Sequence, residues 1–307
     1  MRETLCAYVF PGQGSQYVGM GRDLCNASSV ARAVFAQADS ILGIALSRLC
    51  FDGPSKLLND TSHTQPAMLA TSIAALRVLE ERGMDSPAYV AGHSMGEFSA
   101  LVAAGALSFE DGLRLVRERG RLMKQAGERN PGGMAAVLGL EREQLETICA
   151  AVREQSGKYV GIANDNCPGQ LVISGALVPL ERALELAKER GARRVIRLAV
   201  SIAAHSPLMA ETAAEFRRLL DATPFHKPTV PLVANAIASP LTNPDSIRHA
   251  LGRQLTSPVR WAESVRWMIG QGVTRFVEVG PKEVLTGLLR RTDRTVERAS
   301  TEALFQT

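Results

Sequence analysis

A serine at position 94 lies between two glycines in a pattern that is typical of a catalytic nucleophile. Residues 92–96 are Gly-His-Ser-Met-Gly, after the apolar run 88–91 and before the helix-forming residues 97–104. In this strand–turn–helix context a G-x-S-x-G turn exposes the serine hydroxyl above the sheet edge, at a helix N-terminus that favours negative charge. A plain strand–helix connector is the alternative. The context favours covalent catalysis by Ser94.

A serine nucleophile needs a general base, and histidine is the most common one. The chain has five histidines: His63, His93, His205, His226 and His249. His93 is adjacent to Ser94 in the chain, which is a poor geometry for proton transfer between them. His205 follows the predicted strand 195–200 and a bend of small residues, so it lies on a loop that can reach the turn. We therefore predict that His205 is the base.

Arg119 is predicted to be a buried cation. In a helix over Leu113–Met123, the positions three and four residues from Arg119 are all apolar, whereas Arg117 and Arg121 face elsewhere. A buried guanidinium is costly unless an anion pairs with it. Two partners remain open, an internal Asp or Glu, or a substrate carboxylate that the guanidinium fork binds in a bidentate way.

Two kinds of chain pattern predict the elements that position these residues. Strand-like runs at Tyr8–Phe10, Tyr89–Ala91, Leu232–Ala234 and Arg275–Val279 alternate with longer helical patterns, which predicts a mostly parallel sheet covered by helices. The stretch 132–198 instead predicts the order β-α-β-β-α-β of a ferredoxin-like unit. We predict an α/β-hydrolase-like core of residues 1–130 and 199–307, interrupted by a ferredoxin-like subdomain over 131–198.

Composition excludes several classes of protein. The 307 residues are 46% hydrophobic and 21% charged, as in a globular enzyme, and the net charge of +4 is too small to predict nucleic-acid binding. No apolar run approaches the ~18 residues of a membrane span, and the run after residues 1–3 is too short for a signal peptide. Five scattered cysteines predict neither a disulfide framework nor a zinc site, which favours a reducing cytoplasm.

Several motifs together carry a family resemblance. Residues 10–16 (Phe-Pro-Gly-Gln-Gly-Ser-Gln) follow the first predicted strand, and with residues 92–97 they resemble the malonyl-CoA:acyl carrier protein transacylase family. The resemblance continues through residues 64–67, 119–120, Asn164 with 168–170, 205–209, 254–255 with 258–259, and 278–281, nearly the whole chain. A phosphate-binding loop at residues 12–21 is not indicated, because its lysine and its third glycine are both missing.

The resemblance implies a catalytic arrangement. Ser94 and His205 would form the catalytic pair, and a main-chain carbonyl near Gln254, rather than an aspartate, would orient the imidazole. The backbone N–H groups of Gln13 and Met95 would form the oxyanion hole, which stabilises the negative charge that develops during acyl transfer.

The resemblance also implies a substrate site. Arg119 would bind the carboxylate of a malonyl group, and Gln65, Asn164 and Gln254 would support the substrate. Malonyl-selective members usually have a phenylalanine before the catalytic histidine, whereas Ala204 stands here. The smaller residue leaves a methylmalonyl-tolerant acyltransferase as an alternative.

The expected activity is transfer of a malonyl group from malonyl-CoA to the phosphopantetheine thiol of an acyl carrier protein, by a ping-pong mechanism. A monomer without metal or redox cofactor is expected. A serine esterase or thioesterase is a rival, with Asp221 and His226, or Asp245 and His249, in the order that hydrolases use. A second rival is a carrier-docking subunit without catalysis.

Overall fold

Two β-sheets organise the chain. The structure is a computed structural model that describes residues 5–305, so residues 1–4 and 306–307 of the predicted core, and the start used to argue against a signal peptide, lie outside the described residues. The strands are β1 (Leu5–Phe10), β2 (Tyr89–Gly92), β3 (Gly132–Leu138), β4 (Val160–Cys167), β5 (Gln170–Ala176), β6 (Arg194–Arg197), β7 (Leu232–Val233), β8 (Pro240–Leu241), β9 (Val273–Glu278) and β10 (Glu297–Ser300).

Helices cover both sheets. They are α1 (Arg22–Ala27), α2 (Ser29–Leu42), α3 (Leu46–Asp52), α4 (Ser55–Leu58), α5 (Thr61–Glu81), α6 (Gly96–Ala103), α7 (Phe109–Arg129), α8 (Arg142–Ser156), α9 (Leu177–Glu189), α10 (Ala210–Ala222), α11 (Pro244–Gln254), α12 (Trp261–Gly270), α13 (Val284–Thr292) and α14 (Thr301–Phe305). A 3₁₀ turn covers Pro207–Met209. Over residues 5–305, none of these helices combines the length and the apolar character needed to cross a membrane.

The larger sheet has six strands in the order β10-β9-β1-β2-β7-β8. Every neighbouring pair is parallel except β7 with β8. This confirms the predicted mixed α/β class with a parallel sheet. The central strands are apolar and buried, as strands covered by helices on both faces must be. The pattern did not predict β8 and β10, which are short edge strands without an apolar run.

The register of β1 and β2 brings two loops together. Phe10 pairs with Gly92 at the carboxyl ends of the two strands, and the N–H of His93 donates to the carbonyl of Phe10 over 2.9 Å. The loop after β1 therefore lies beside the turn that carries Ser94. Ligands bind at the carboxyl edge of such sheets.

The smaller sheet is antiparallel, with the strand order β4-β5-β3-β6. Its elements follow the predicted order β-α-β-β-α-β, and α8 and α9 pack against it over a separate apolar cluster. β4 continues past the predicted strand, because residues 164, 165 and 167 still pair with β5. Residues 163–165 also pair with the segment that precedes α12. The N–H of Asp165 donates to the carbonyl of Val259 over 2.9 Å, and the N–H of Val259 donates to Ala163 over 2.8 Å. This bridge holds Asn164 beside Val259, close to the start of α12.

Close packing of α7 on α5 sets the depth of Arg119. The predicted face of α7 is buried, and the helix extends beyond the predicted segment at both ends. At Gly120, a β-carbon would lie 2.4 Å from the carbonyl oxygen of Thr61 at the start of α5. Only glycine allows this approach, which places Arg119 next to the α5 side chains.

Gly120→Ala is expected to lower the free energy of unfolding by about 2 kcal/mol, because the added methyl group meets backbone that cannot rotate away. Gly287→Ala is the matched control, since Gly287 is also helical and its added methyl group has no neighbour within 4 Å. The control is expected to gain up to ~1 kcal/mol from helix propensity. Urea unfolding of both variants measures the difference. Equal stability of the two would contradict the proposed close approach.

Candidate active site

Ser94 lies on a strained turn between β2 and α6. Its φ of 53° is in the left-handed region, which costs a non-glycine residue about 1–3 kcal/mol. A β-carbon at Gly92 would lie 2.0 Å from the backbone of Gly96, and one at Gly96 would lie 2.2 Å from the carbonyl oxygen of Phe10. Both glycines are therefore required by space, as the G-x-S-x-G pattern predicts.

The side chain of Asn235 holds this turn in place. Asn235 follows β7, and its Oδ1 accepts a hydrogen bond from the N–H of Ser94 over 2.7 Å. Its Nδ2 donates to the carbonyl of Gly92 over 2.6 Å. One buried amide thus satisfies two backbone groups of the turn.

His205 lies within hydrogen-bond distance of the nucleophile. Its Nε2 is 2.8 Å from Ser94 Oγ, and its Nδ1 is 2.9 Å from the main-chain oxygen of Gln254. A carbonyl oxygen only accepts, so Nδ1 carries the proton and donates to Gln254. Nε2 is then the unprotonated nitrogen, which accepts from the Ser94 hydroxyl. The φ of His205 is 58°, a second left-handed residue at the site.

Burial keeps the imidazole neutral. Desolvation, and then the nearby positive charge of Arg119, lower the pKa of His205 to about 3. His93 is directed elsewhere, because its Nε2 lies 2.8 Å from Oδ1 of Asn166 in β4. Of the histidines, His205 is the one hydrogen-bonded to Ser94.

Arg119 is fully buried beside the nucleophile, with 1% of its surface exposed. Its two terminal nitrogens donate to Oε1 of Gln65 and to Oε1 of Gln254, each over 2.9 Å, and one of them also lies 3.2 Å from Ser94 Oγ. Within residues 5–305 it forms no ion pair, and its Nε has no hydrogen-bond partner.

The electrostatics of Arg119 leave its charge only partly balanced. Burial lowers its pKa to about 10, and the buried carboxylate of Glu97 acts in the opposite direction. The guanidinium therefore stays charged at neutral pH. Of the two partners left open by the sequence, no internal Asp or Glu contacts it in the described chain.

A cleft of about 110 Å³ opens beside Ser94 and His205. Gln13, Met95 and Asn164 line it together with Ser94, Arg119 and His205. Within the described residues the N–H groups of Gln13 and Met95 have no acceptor, and Oδ1 of Asn164 has no partner. Gln65 and Gln254 do not line the cleft. Both accept hydrogen bonds from Arg119, which does line it.

Comparison with known proteins gives one consistent result. Residues 7–307 match the model of the acyl transferase domain family. The malonyl CoA-acyl carrier protein transacylase of Bacillus subtilis is 46% identical over 95% of this chain and 91% of its own length, and that of Escherichia coli K12 is 44% identical over 94% and 93%. The chain belongs to the malonyl-CoA:acyl carrier protein transacylase family of acyl transferases. It is an acyltransferase.

Solved structures of transacylases have the same fold. An acyl carrier protein S-malonyltransferase from Vibrio cholerae superposes with a TM-score of 0.94 at 45% identity, covering 97% of this chain and 96% of that one. A malonyl-transacylase solved in complex with the type II polyketide carrier protein AntF also has a TM-score of 0.94, at 43% identity and the same coverage.

The rival hydrolase triads are not assembled in this member of the transacylase family. Asp221 pairs with Arg217 and Asp245 pairs with Arg248, in ion pairs with exposed carboxylates. The group that faces Nδ1 of His205 is a backbone carbonyl.

Three buried side chains of this transacylase site were missed by the sequence analysis: Glu97, Asn166 and Asn235. Asn235 follows a predicted strand next to β2, and polar residues at that edge are a usable signal. Glu97 is the last residue of the motif at residues 92–97, but its position in a helix did not predict its contact with Gln254. The role of Asn166 depends on β4 extending past the predicted strand. Within residues 5–305, no three His, Cys, Asp or Glu side chains are grouped as metal ligands.

Proposed function

We propose that this enzyme transfers a malonyl group from malonyl-CoA to the phosphopantetheine thiol of an acyl carrier protein, through an ester on Ser94. The observation that carries the proposal is Arg119, a buried cation with amide partners that lies 3.2 Å from the nucleophilic oxygen. An acyl group ending in a carboxylate supplies the missing anion close to the reacting carbon. The names of the relatives and the carrier-protein complex of one neighbour support the same substrates.

Acylation of Ser94 is the first half of the proposed reaction. Ser94 Oγ attacks the thioester carbonyl of malonyl-CoA while its proton passes to Nε2 of His205. The C–S bond breaks, and the proton moves from His205 to the departing sulfur, releasing coenzyme A as a thiol. Arg119 holds the malonyl carboxylate in a bidentate way during both steps.

Deacylation reverses these steps with a second thiol. The phosphopantetheine thiol gives its proton to His205 and its sulfur attacks the ester, and then Ser94 Oγ leaves and takes the proton back. In both halves we assign the oxyanion hole to the N–H groups of Gln13 and Met95, which line the cleft and have no acceptor in the described chain. Such a donor lowers the barrier by ~3 kcal/mol.

We also propose the domain division that the sequence predicts, an α/β-hydrolase-like core with a ferredoxin-like insert. The strand order β4-β5-β3-β6 and the two helices on one sheet support the second description. The insert supplies Asn164 to one wall of the cleft, and we assign that residue to substrate binding. We assign Gln65 and Gln254 to holding Arg119.

No metal or redox cofactor is part of the proposal, because the serine, the histidine and the arginine supply the nucleophile, the proton transfer and the anion site. A monomer suffices, because every assigned residue belongs to one chain. The cytoplasmic location inferred from the cysteines stays a prediction. Ala204 lines the cleft, so methylmalonyl-CoA belongs among the donors to be tested.

The proposal is tested by following the acyl group after malonyl-CoA is added. Intact mass spectrometry should show a malonyl adduct on the enzyme, and the adduct should move to an added holo acyl carrier protein. Release of free malonate at a comparable rate without carrier protein would identify a hydrolase instead. Failure to form any adduct would indicate a docking subunit.

The proton-transfer role of His205 makes a prediction about pH. Because its pKa is lowered to about 3, His205 stays neutral at every pH above that value, and base function is lost only as the pH falls through it. The imidazole resonances of His205 are therefore expected not to titrate between pH 5 and 8. In urea-unfolded protein the same histidine should titrate near ~6.5. A native-state midpoint near 6.5, tracked by NMR and assigned with His205→Asn, would contradict this environment.

A further inference from the structure

Gln254 contacts four groups of the site. Its main-chain oxygen accepts from Nδ1 of His205 over 2.9 Å, and its side-chain Oε1 accepts from Arg119 over 2.9 Å. Its Nε2 donates to the carbonyl of Ser94 over 3.0 Å and to Oε2 of Glu97 over 2.6 Å. The residue is the last of α11 and is buried. One residue therefore links the base, the cation and the backbone of the nucleophile.

The orientation of the Gln254 amide decides what Arg119 meets. With Oε1 toward the guanidinium, the amide accepts from it. After a 180° flip the NH₂ group would face the guanidinium, and two donors would oppose each other in a buried site. The observed orientation must therefore be maintained by acceptors on the Nε2 side.

Glu97 supplies the shorter of the two hydrogen bonds on that side. It lies in the first turn of α6, three residues after the nucleophile, and 1% of its surface is exposed. Gln254 and the backbone N–H of Asn235 donate to its carboxylate, and it forms no ion pair with any described residue. Burial raises the pKa of Glu97 to about 7, so its carboxyl group is only partly ionised at neutral pH. The length of the contact, 2.6 Å against 3.0 Å for the Ser94 carbonyl, makes Glu97 the closer acceptor for Nε2 of Gln254.

We propose that Glu97 is a positioning residue that acts through Gln254: by accepting from Nε2 of Gln254, it keeps the amide oxygen toward Arg119 and the guanidinium beside Ser94. The inference rests on the proposed function, since the carboxylate selected by Arg119 belongs to the acyl group. Glu97 touches no reacting atom in this arrangement. Substitution of Glu97 should therefore lower the preference for malonyl-CoA over acetyl-CoA more than it lowers the rate of acyl transfer itself.

Two substitutions at this position separate reach from charge. Glu97→Asp keeps an ionisable carboxyl group, but the shorter side chain withdraws it by about one bond length of ~1.5 Å, beyond hydrogen-bond distance. Glu97→Gln keeps the length and an acceptor oxygen for Gln254, and removes the charge. The NH₂ group of the new glutamine faces the N–H of Asn235, so the protein should lose some folding stability. That loss should affect the activity with malonyl-CoA and with acetyl-CoA equally.

The measurement is the ratio of kcat/KM for malonyl-CoA over acetyl-CoA, together with thermal unfolding. Glu97→Asp is expected to lower the ratio about tenfold, and Glu97→Gln to stay within about threefold of the wild type. A larger fall of the ratio in Glu97→Gln than in Glu97→Asp would mean that the charge at position 97, rather than its contact with Gln254, controls the ratio. That result would overturn the proposal. An unchanged ratio with a lowered melting temperature in both variants would assign Glu97 a structural role only.

A double-mutant cycle tests the route through Gln254. Gln254→Leu removes the amide but keeps the main-chain carbonyl that faces His205. In that background Glu97→Asp is expected to change the ratio less than about twofold, because the partner through which it acts is gone. A tenfold change in both backgrounds would overturn the proposal.

The cycle also separates this inference from the proposed function. Wild-type enzyme that forms no malonyl ester on Ser94 would refute the proposed function itself. Wild-type enzyme that forms the ester, with no coupling between positions 97 and 254, would refute only the positioning role.

Discussion

Ser94→Ala is expected to abolish the malonyl-enzyme while the protein still folds. The substitution removes the only atom that forms the ester, so transfer to the carrier protein should fall by a factor of about 10⁴ or more. The lost hydrogen bonds join the hydroxyl to His205 and Arg119, and neither belongs to the apolar core. Intact mass spectrometry after incubation with malonyl-CoA measures the result directly.

Ser99→Ala is the matched control for this substitution. Ser99 lies in the helix that follows the nucleophile, and its buried hydroxyl has no hydrogen-bond partner within the described residues. Removal of that hydroxyl should leave the adduct and its transfer at wild-type levels. A covalent adduct on Ser94→Ala would move the nucleophile to another residue and refute the mechanism.

Arg119→Ala is expected to lower kcat/KM for malonyl-CoA by about 10²- to 10³-fold, because the substrate carboxylate loses its buried partner. Acetyl-CoA has no carboxylate to lose, so its kcat/KM should fall far less, and the ratio between the two substrates reports the effect. Arg119→Lys should recover part of the malonyl activity, since an ammonium supplies the charge but not two parallel hydrogen bonds. The ratio is measured in all three proteins.

Arg117→Ala controls for the removal of an arginine from the same helix. Its side chain donates to the carbonyl of Leu42, away from the cleft, so the malonyl-to-acetyl ratio should not change. If Arg119→Ala lost both activities equally and melted early, Arg119 would be a structural cation. The malonyl carboxylate would then have to bind elsewhere.

Local patterns were sufficient for most of the fold. The apolar runs predict the central strands because strands buried on both faces require continuous apolar residues. The edge strands β8 and β10 and the end of β4 were missed for a related reason. Their residues are polar, short in extent or exposed, and pairing with a neighbouring strand, rather than their own composition, makes them strands.

Local patterns also predict the nucleophile and the burial of the arginine. The turn at Ser94 is recognisable from its own residues, and Gly92 is required by the nearby backbone of Gly96. Gly96 is required instead by the carbonyl oxygen of Phe10, which only the pairing of β1 with β2 brings close. The buried position of Arg119 follows from helical periodicity on α7 alone. The roles of Gln13, Met95 and Gln254 were inferred only through family resemblance, and their catalytic assignment stays a proposal.

What surrounds Arg119 was decided by tertiary structure alone. Periodicity left its partner open between an internal carboxylate and a substrate, because it does not show which distant residues share one site. Packing brings Gln65 and Gln254 to the guanidinium from 54 and 135 positions away in the chain. Glu97 contacts Gln254 instead, so Gln254 lies between Glu97 and Arg119. Asn235 reaches the turn across 141 positions for the same reason. A sequence determines which side chains must be buried, whereas the fold determines which polar groups they meet there.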